Sequence, residues 1–284
     1  MYTLKVQNTA GHMLELTHSL DYMVEDIQGL SSPNATINTS VCGTFDGTRF
    51  NSSRVNERNI VLSLSFKRNV EENRIRLYQY FKAKQQVTLF YKNSIRDTYI
   101  KGYVDTIDYN PFSRHEVVQI SIICPFPFFK KLSGTVVTMR PLQNLVEFPI
   151  SIPERGIEFS SQGTNHGKAA IVNSGDVENG LIITLRATGP VTNPFVFNAD
   201  TTKTFMLNYQ MKSGDIIRID TIRGERSVYL MNGIYGQQNL INSIAQNPDW
   251  LQVAPGDNTF AYSCVSGLEY LEVTLAYTDL YEGV

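Results

Sequence analysis

"NIVLSLSFKRNVEENRIRLYQYFKAKQQVTLFY", residues 59–91, changes its hydrophobic period twice. Ile60, Leu62, Leu64 and Phe66 alternate with Val61, Ser63 and Ser65, which is the pattern of a half-buried strand. From Val70 the pattern stretches. Leu77, Tyr78 and Phe81 then fall near the helical spacing, on one face of a helix predicted over 70–85. Asn69 stands where an N-cap belongs, and Glu72 three positions on completes the signature of a capping box. Glu71 and Glu72 in the first turn, with Lys82 and Lys84 in the last, suit the helix dipole. After Gln86 the strand alternation returns at Val87, Leu89 and Tyr91, with Thr88 and Phe90 opposite. The stretch therefore predicts a helix of about four turns slung between strands, its aromatic stripe buried on the sheet.

On the N-terminal side, "SSPNATINTS" reads as a loop entering a strand around Ile37–Cys42. "GTFDGTRF" follows, with the favoured turn pair Asp46–Gly47 between Phe45 and Phe50. Two readings stand side by side here. Either the phenylalanines fold back on the core at a hairpin end, or Phe45, Asp46, Gly47 and Phe50 form an anchor that enters a neighbouring subunit. On the C-terminal side, Tyr99–Ile107 and Val117–Cys124 are two further strands. The second stops at Pro125, because "PFPFF" lacks the N–H groups a ladder needs. Residues 1–130 thus form a first, α+β domain. A connector over 131–160 is broken by Pro141, Pro149 and Pro153. Residues 161–284 carry about eight short alternating segments without a long helix, the pattern of a β-sandwich or jelly roll. Leu271, Val273, Leu275 and Tyr277 face in, while Glu272 and Thr274 face out. The expected class is mainly β.

The bulk composition excludes several function classes. The 284 residues carry a net charge of −2, and charge is split mildly, with 15 cationic and 12 acidic residues up to Lys130 and 10 and 15 beyond it. There is no polybasic patch for sequence-specific nucleic acid. Arg74, Arg76, Lys82 and Lys84 read as a solvated helix face. No apolar run approaches a membrane span, and no signal peptide is expected, which places synthesis in a reducing cytoplasm. Cys42, Cys124 and Cys264 are odd in number and far apart, without metal spacing, and the latter two read as core thiols. No hydrolase, zinc-protease, Walker or dinucleotide motif occurs, so neither catalysis nor a cofactor or metal is expected. His12, His18, His115 and His166 are dispersed; Glu154/Glu158 and Asp176/Glu178 show no special pairing. A second function class remains open, because β-sandwiches bind saccharides by stacking aromatics on sugar rings. Trp250 and Tyr235 are the candidate sugar contacts, although Trp250, within "NPDWLQVAPG", reads more readily as a plug for the open end of the sandwich.

Nearly the whole chain resembles the siphophage-type distal tail proteins. In the first half the resemblance rests on "FDGTRF" with the strand after it (Phe45–Ile60), "VEENRIRLYQYF" (Val70–Phe81), "IKGYVD" (Ile100–Asp105) and the Cys-Pro-Phe-Pro close (Cys124–Pro127). In the second it rests on "VNSGDVENG", "NPFVFN", "GDIIRIDT", "WLQVAPGDNTFAY" and the ending "YTDLYEGV". The resemblance implies a structural protein of a phage or prophage particle, with a ring-forming first domain and a galectin-like second one. It implies a homo-oligomeric ring, usually of six, at the virion tail tip. Such a ring joins the tail tube to the baseplate and receptor-binding proteins, and the protein is made in the cytoplasm of the bacterial host. The alternative is a carbohydrate-binding β-sandwich that contacts the host cell wall.

Overall fold

The computed structural model describes residues 2–41, 43, 46–110, 116–141, 167–232 and 236–284. They fall into two compact units, residues 1–132 with 280–284, and residues 133–279.

The first unit is one antiparallel sheet with a helix against it. Its strands are β1 (Thr3–Gln7), β2 (Met13–Glu15), β3 (Tyr22–Gln28), β6 (Arg58–Phe66), β7 (Gln86–Lys92), β8 (Asp97–Tyr109) and β9 (Val117–Cys124). The chain between β3 and β6 supplies β4 (Ala35–Val41) and β5 (Thr48–Val55), which pair only with each other. The order across the sheet is β2-β1-β7-β8-β9-β6-β3. A short strand β10 (Phe129–Lys131) pairs with β8 on one side and with Leu280–Tyr281 on the other. The alternation of β6 is realised in full: Ile60, Leu62 and Leu64 are buried and face the equally buried Val118, Ile120 and Ile122 of β9. The central register runs from Arg58↔Cys124 to Ser65↔Val117 without a slip.

The helix α1 (Val70–Tyr80) lies where the period changes, but both its ends differ from expectation. Asn69 adopts a left-handed backbone (φ 46°, ψ 52°) and makes no side-chain cap. The helical ladder opens at Asn73, whose N–H donates to the Asn69 carbonyl at 3.0 Å and whose side-chain amide donates to the Arg68 carbonyl at 2.8 Å. At the other end Phe81 leaves helical geometry, and Lys84 turns left-handed so that its N–H reaches the Val104 carbonyl at 2.9 Å. The chain is already joining the β7–β8 ladder there, so the helix stops at Tyr80 instead of 85, and Lys82 and Lys84 lie beyond it. The buried stripe is Asn73, Leu77 and Phe81, with Tyr80 packed against the core; Tyr78 is exposed. Tyr22 fastens the helix to β3 through a hydroxyl that donates to the Asn73 carbonyl at 3.1 Å.

The second unit is a β-sandwich. One sheet has the order Thr135–Met139, Leu271–Tyr277, Ile182–Ala187, Ile216–Asp220, Ser227–Asn232, Gly236–Asn239. The other has Lys168–Asn173, Gly256–Ser263, Phe195–Asn198, Thr204–Met206. Leu271, Val273, Leu275 and Tyr277 point inward as the alternation predicts, and pack with Ile183, Ile219, Phe205 and Phe260. A 3-10 turn at Ile241–Ser243 precedes Trp250. Cys264 is only half-buried, its thiol donating to the Ser266 carbonyl at 3.3 Å. Cys124 is fully buried, and Cys42 lies outside the described residues.

Truncating Leu77, which is fully buried under the helix, is expected to lower the stability of the first unit by about 3 kcal/mol, read as a shift in its urea midpoint. Burial pushes the Cys124 thiol up to about 12, so it stays protonated at pH 8. Iodoacetamide at pH 8 is therefore expected to leave Cys124 unmodified in the native protein and to label it only after unfolding, as peptide mass spectrometry would report.

Candidate functional site

The first unit has one part that its own core does not explain. β4 and β5 form a two-stranded ribbon, paired from Ala35↔Val55 to Val41↔Thr48. Every residue of β5, and every residue of β4 except Thr36, is exposed. Eight residues of strand extend roughly 26 Å, so the ribbon is an arm. Polar pairs hold its strands together: Asn38 donates to the Ser52 hydroxyl at 3.0 Å, and the Thr36 hydroxyl to the Asn56 side-chain oxygen at 2.9 Å. Between them the arm displays Ile37, Val41, Phe50 and Val55 to solvent. Phe50 is 60% exposed and does not fold back on the core. At the tip Gly47 takes φ 97°, the left-handed geometry for which an Asp–Gly turn is chosen. Asp46 is exposed beside it, and Phe45 lies outside the described residues. Three of the four residues singled out in the sequence are thus together on the arm's outer part.

The sheet's own borders are less inviting for another chain. β2 is three residues long, and β3 carries a bulge at Glu25 and two acidic residues, devices that discourage edge pairing. Asp21, just before β3, is engaged with Arg68 at 2.7 Å and Arg76 at 3.7 Å. The hydrogen bond from Arg68 holds its carboxyl below the usual range.

The arm's root is built around a residue that sequence reasoning missed. Arg58, at the start of β6, is 3% exposed. Its Nε donates to the Pro127 carbonyl at 2.6 Å, one terminal nitrogen donates to the Gly29 and Ser31 carbonyls, and the other to the Glu282 carbonyl. Its guanidinium also lies 4.7 Å from the centre of the Phe129 ring. Burial lowers its pKa, yet a guanidinium keeps its charge, here spread over four backbone dipoles. The root is tight elsewhere too. A Cβ on Gly29 (φ +87°) would lie 2.2 Å from the Asn59 backbone oxygen, so only glycine fits. The available sequence signal was slight: a cation at the head of a strand whose same-face neighbours are all apolar. Beside the root is an open polar groove of about 870 Å³ that includes Asn34, Arg54 and Glu57.

The residues proposed for sugar contact are placed differently. Trp250 is half-buried in the second unit, with Phe205 at 5.2 Å from its ring centre and the Arg226 guanidinium over the ring, also at 5.2 Å. Tyr235 lies outside the described residues, as do His115, His166 and Glu154/Glu158. Glu178 is exposed and pairs with Arg223 at 3.7 Å. Among the described residues no group of His, Cys, Asp and Glu is arranged to hold a metal ion, and no helix is long and apolar enough to cross a membrane.

Residues 174–281 match the family model described as the siphovirus-type tail component, C-terminal domain. That stretch of the second unit is therefore similar to the C-terminal domain of siphovirus-type tail components. No curated protein matches its sequence. Among solved structures, this chain shares its fold with phage SPP1 Dit (gp 19.1), a paradigm of the hub adsorption apparatus in phages that infect Gram-positive hosts. That likeness has a TM-score of 0.68 at 10% identity and covers 99% of each chain. A chain of the phage P2 baseplate in its activated conformation with Ca matches with a TM-score of 0.50 at 13% identity, over 97% of this chain and 98% of that one. The chain therefore shares its fold with those proteins over nearly its whole length.

Replacing Arg58 by Ala would leave the buried Pro127 carbonyl and three part-buried carbonyls without their donor, and is expected to cost the first unit about 3 kcal/mol in a chemical denaturation experiment.

Proposed function

We propose that this protein is a siphovirus-type tail component that acts as a hub: a ring-forming scaffold at the virion tail tip that joins the tail tube to the baseplate and receptor-binding proteins. One observation carries the reading, the exposed arm. A two-stranded ribbon with both faces in water is marginally stable alone, and this one also exposes Phe50, Ile37 and Val41. Contact with the next subunit would cover those side chains. Such a contact joins the arm of one copy to a different surface of its neighbour, so it is head-to-tail and closes into a ring when the rotation allows. Six copies is the number we propose. The fold shared with SPP1 Dit, a hub protein, supports the same role. The activity is assembly, not catalysis, and the protein is made in the cytoplasm of the bacterial host before it joins the particle. Carbohydrate binding takes second place because Arg226 and Phe205 already pack on Trp250, the one described candidate for sugar stacking.

Light scattering after size exclusion tests the proposal. The wild-type protein is expected at about six times its 32.1 kDa chain mass, and Phe50→Asp at the mass of one chain with an unchanged far-UV spectrum. A wild-type protein that stays monomeric at every concentration, alone and with tail-tube protein, would sink the ring reading.

A further inference from the structure

We infer that residues 280–284 are a strap that sets the direction of the assembly arm, with Arg58 as its positioning residue. The inference rests on the proposed role of the arm in self-association. The arm leaves β3 at Gln28 and begins its own ladder at Ala35, so its outgoing leg is only residues 29–34. Two of these, Leu30 and Ser31, lie against residues 283–284. The Val284 N–H donates to the Leu30 carbonyl at 3.1 Å, and Gly283 lies against Leu30 and Ser31 so closely that a Cβ would meet the Leu30 oxygen at 3.1 Å. Arg58 gathers the Gly29, Ser31 and Glu282 carbonyls on one guanidinium. The returning leg is tied in as well: the Asn56 N–H donates to the Asn34 carbonyl at 2.8 Å, and Arg58 itself begins the strand into which that leg runs.

The strap is anchored independently of the arm. Leu280 and Tyr281 are buried and pair with Lys130 and Phe129 of β10. Arg96 donates to the Gly283 carbonyl and sets its guanidinium 4.3 Å from the centre of the Tyr281 ring. One end of the strap is therefore fixed to the sheet, and the other is fixed to the arm's outgoing leg. A ribbon without a core of its own takes its direction from its two legs, and the strap, through Arg58, fixes both.

The test is deletion of residues 282–284, which leaves the pairing of Leu280 and Tyr281 with β10 in place. Hydrogen exchange by mass spectrometry is expected to be at least tenfold faster over 29–36 and 54–58, with Ile60–Leu64 as protected as in the wild type. The ring mass seen by light scattering is expected to fall. Arg58→Lys, whose single ammonium cannot span the same carbonyls, is expected to accelerate the same two segments, and it decides the matter if the deletion fails to fold. Unchanged exchange at the root overturns the inference, as does faster exchange with an intact ring. Phe50→Asp separates the two ideas. If that variant still forms the ring, the assembly role of the arm fails on its own account, and root exchange alone then decides whether the strap sets the arm.

Discussion

A single charge without a carboxylate partner among its hydrogen bonds holds the root of the first unit together. Arg58 is buried and satisfied by backbone carbonyls drawn from the β3 exit, from the chain between β9 and β10, and from the segment at Glu282. Such a cluster is stable only when every acceptor is in place, because a buried guanidinium left short of partners costs several kcal/mol. The converse also holds. Three separate pieces of chain have one relative position at which the charge is satisfied, so the interaction specifies geometry more than it adds stability.

That arrangement explains what was legible in the sequence and what was not. The strand–helix–strand alternation of 59–91 and the inward faces of the sandwich strands are written in side-chain polarity, and they reappear residue for residue at Ile60–Leu64 and Leu271–Tyr277. The helix ends were misread because Asn69 turns left-handed without capping and the Lys84 N–H is taken by the Val104 carbonyl, backbone features that no side-chain pattern records. Tyr78 fell within the helical stripe by spacing, yet Tyr80 takes the place against the core. The Arg58 cluster was hidden for the same reason. Its acceptors are carbonyls, identical for every residue type, and they come from positions 29, 31, 127 and 282. The Asp46–Gly47 turn was legible, but its place on an arm clear of the core depends on β4 and β5 having no third strand among the described residues.

Two kinds of exposed β-structure in the first unit carry different chemistry. The sheet borders are short, bulged or acidic, which lowers their tendency to pair with another chain. The arm has polar cross-links within the ribbon and apolar side chains facing outward. Apolar contact made by Phe50 and its neighbours would be buried without recruiting the sheet, so association through the arm leaves the first unit's hydrogen bonds as they are.

The insertion of the second unit between β10 and Leu280–Tyr281 also bears on how the chain folds. The ladder Phe129↔Tyr281 joins residues about 150 positions apart, and closing so long a loop in a disordered chain is entropically slow. Within the second unit, however, Thr135 already pairs with Tyr277 in the strand next to the one at Ile182–Ala187. Once that sandwich has formed, the effective loop between β10 and residue 280 shrinks to a few residues. Residue 280 is then held a few residues from β10, so pairing Leu280–Tyr281 with β10 costs little further chain entropy.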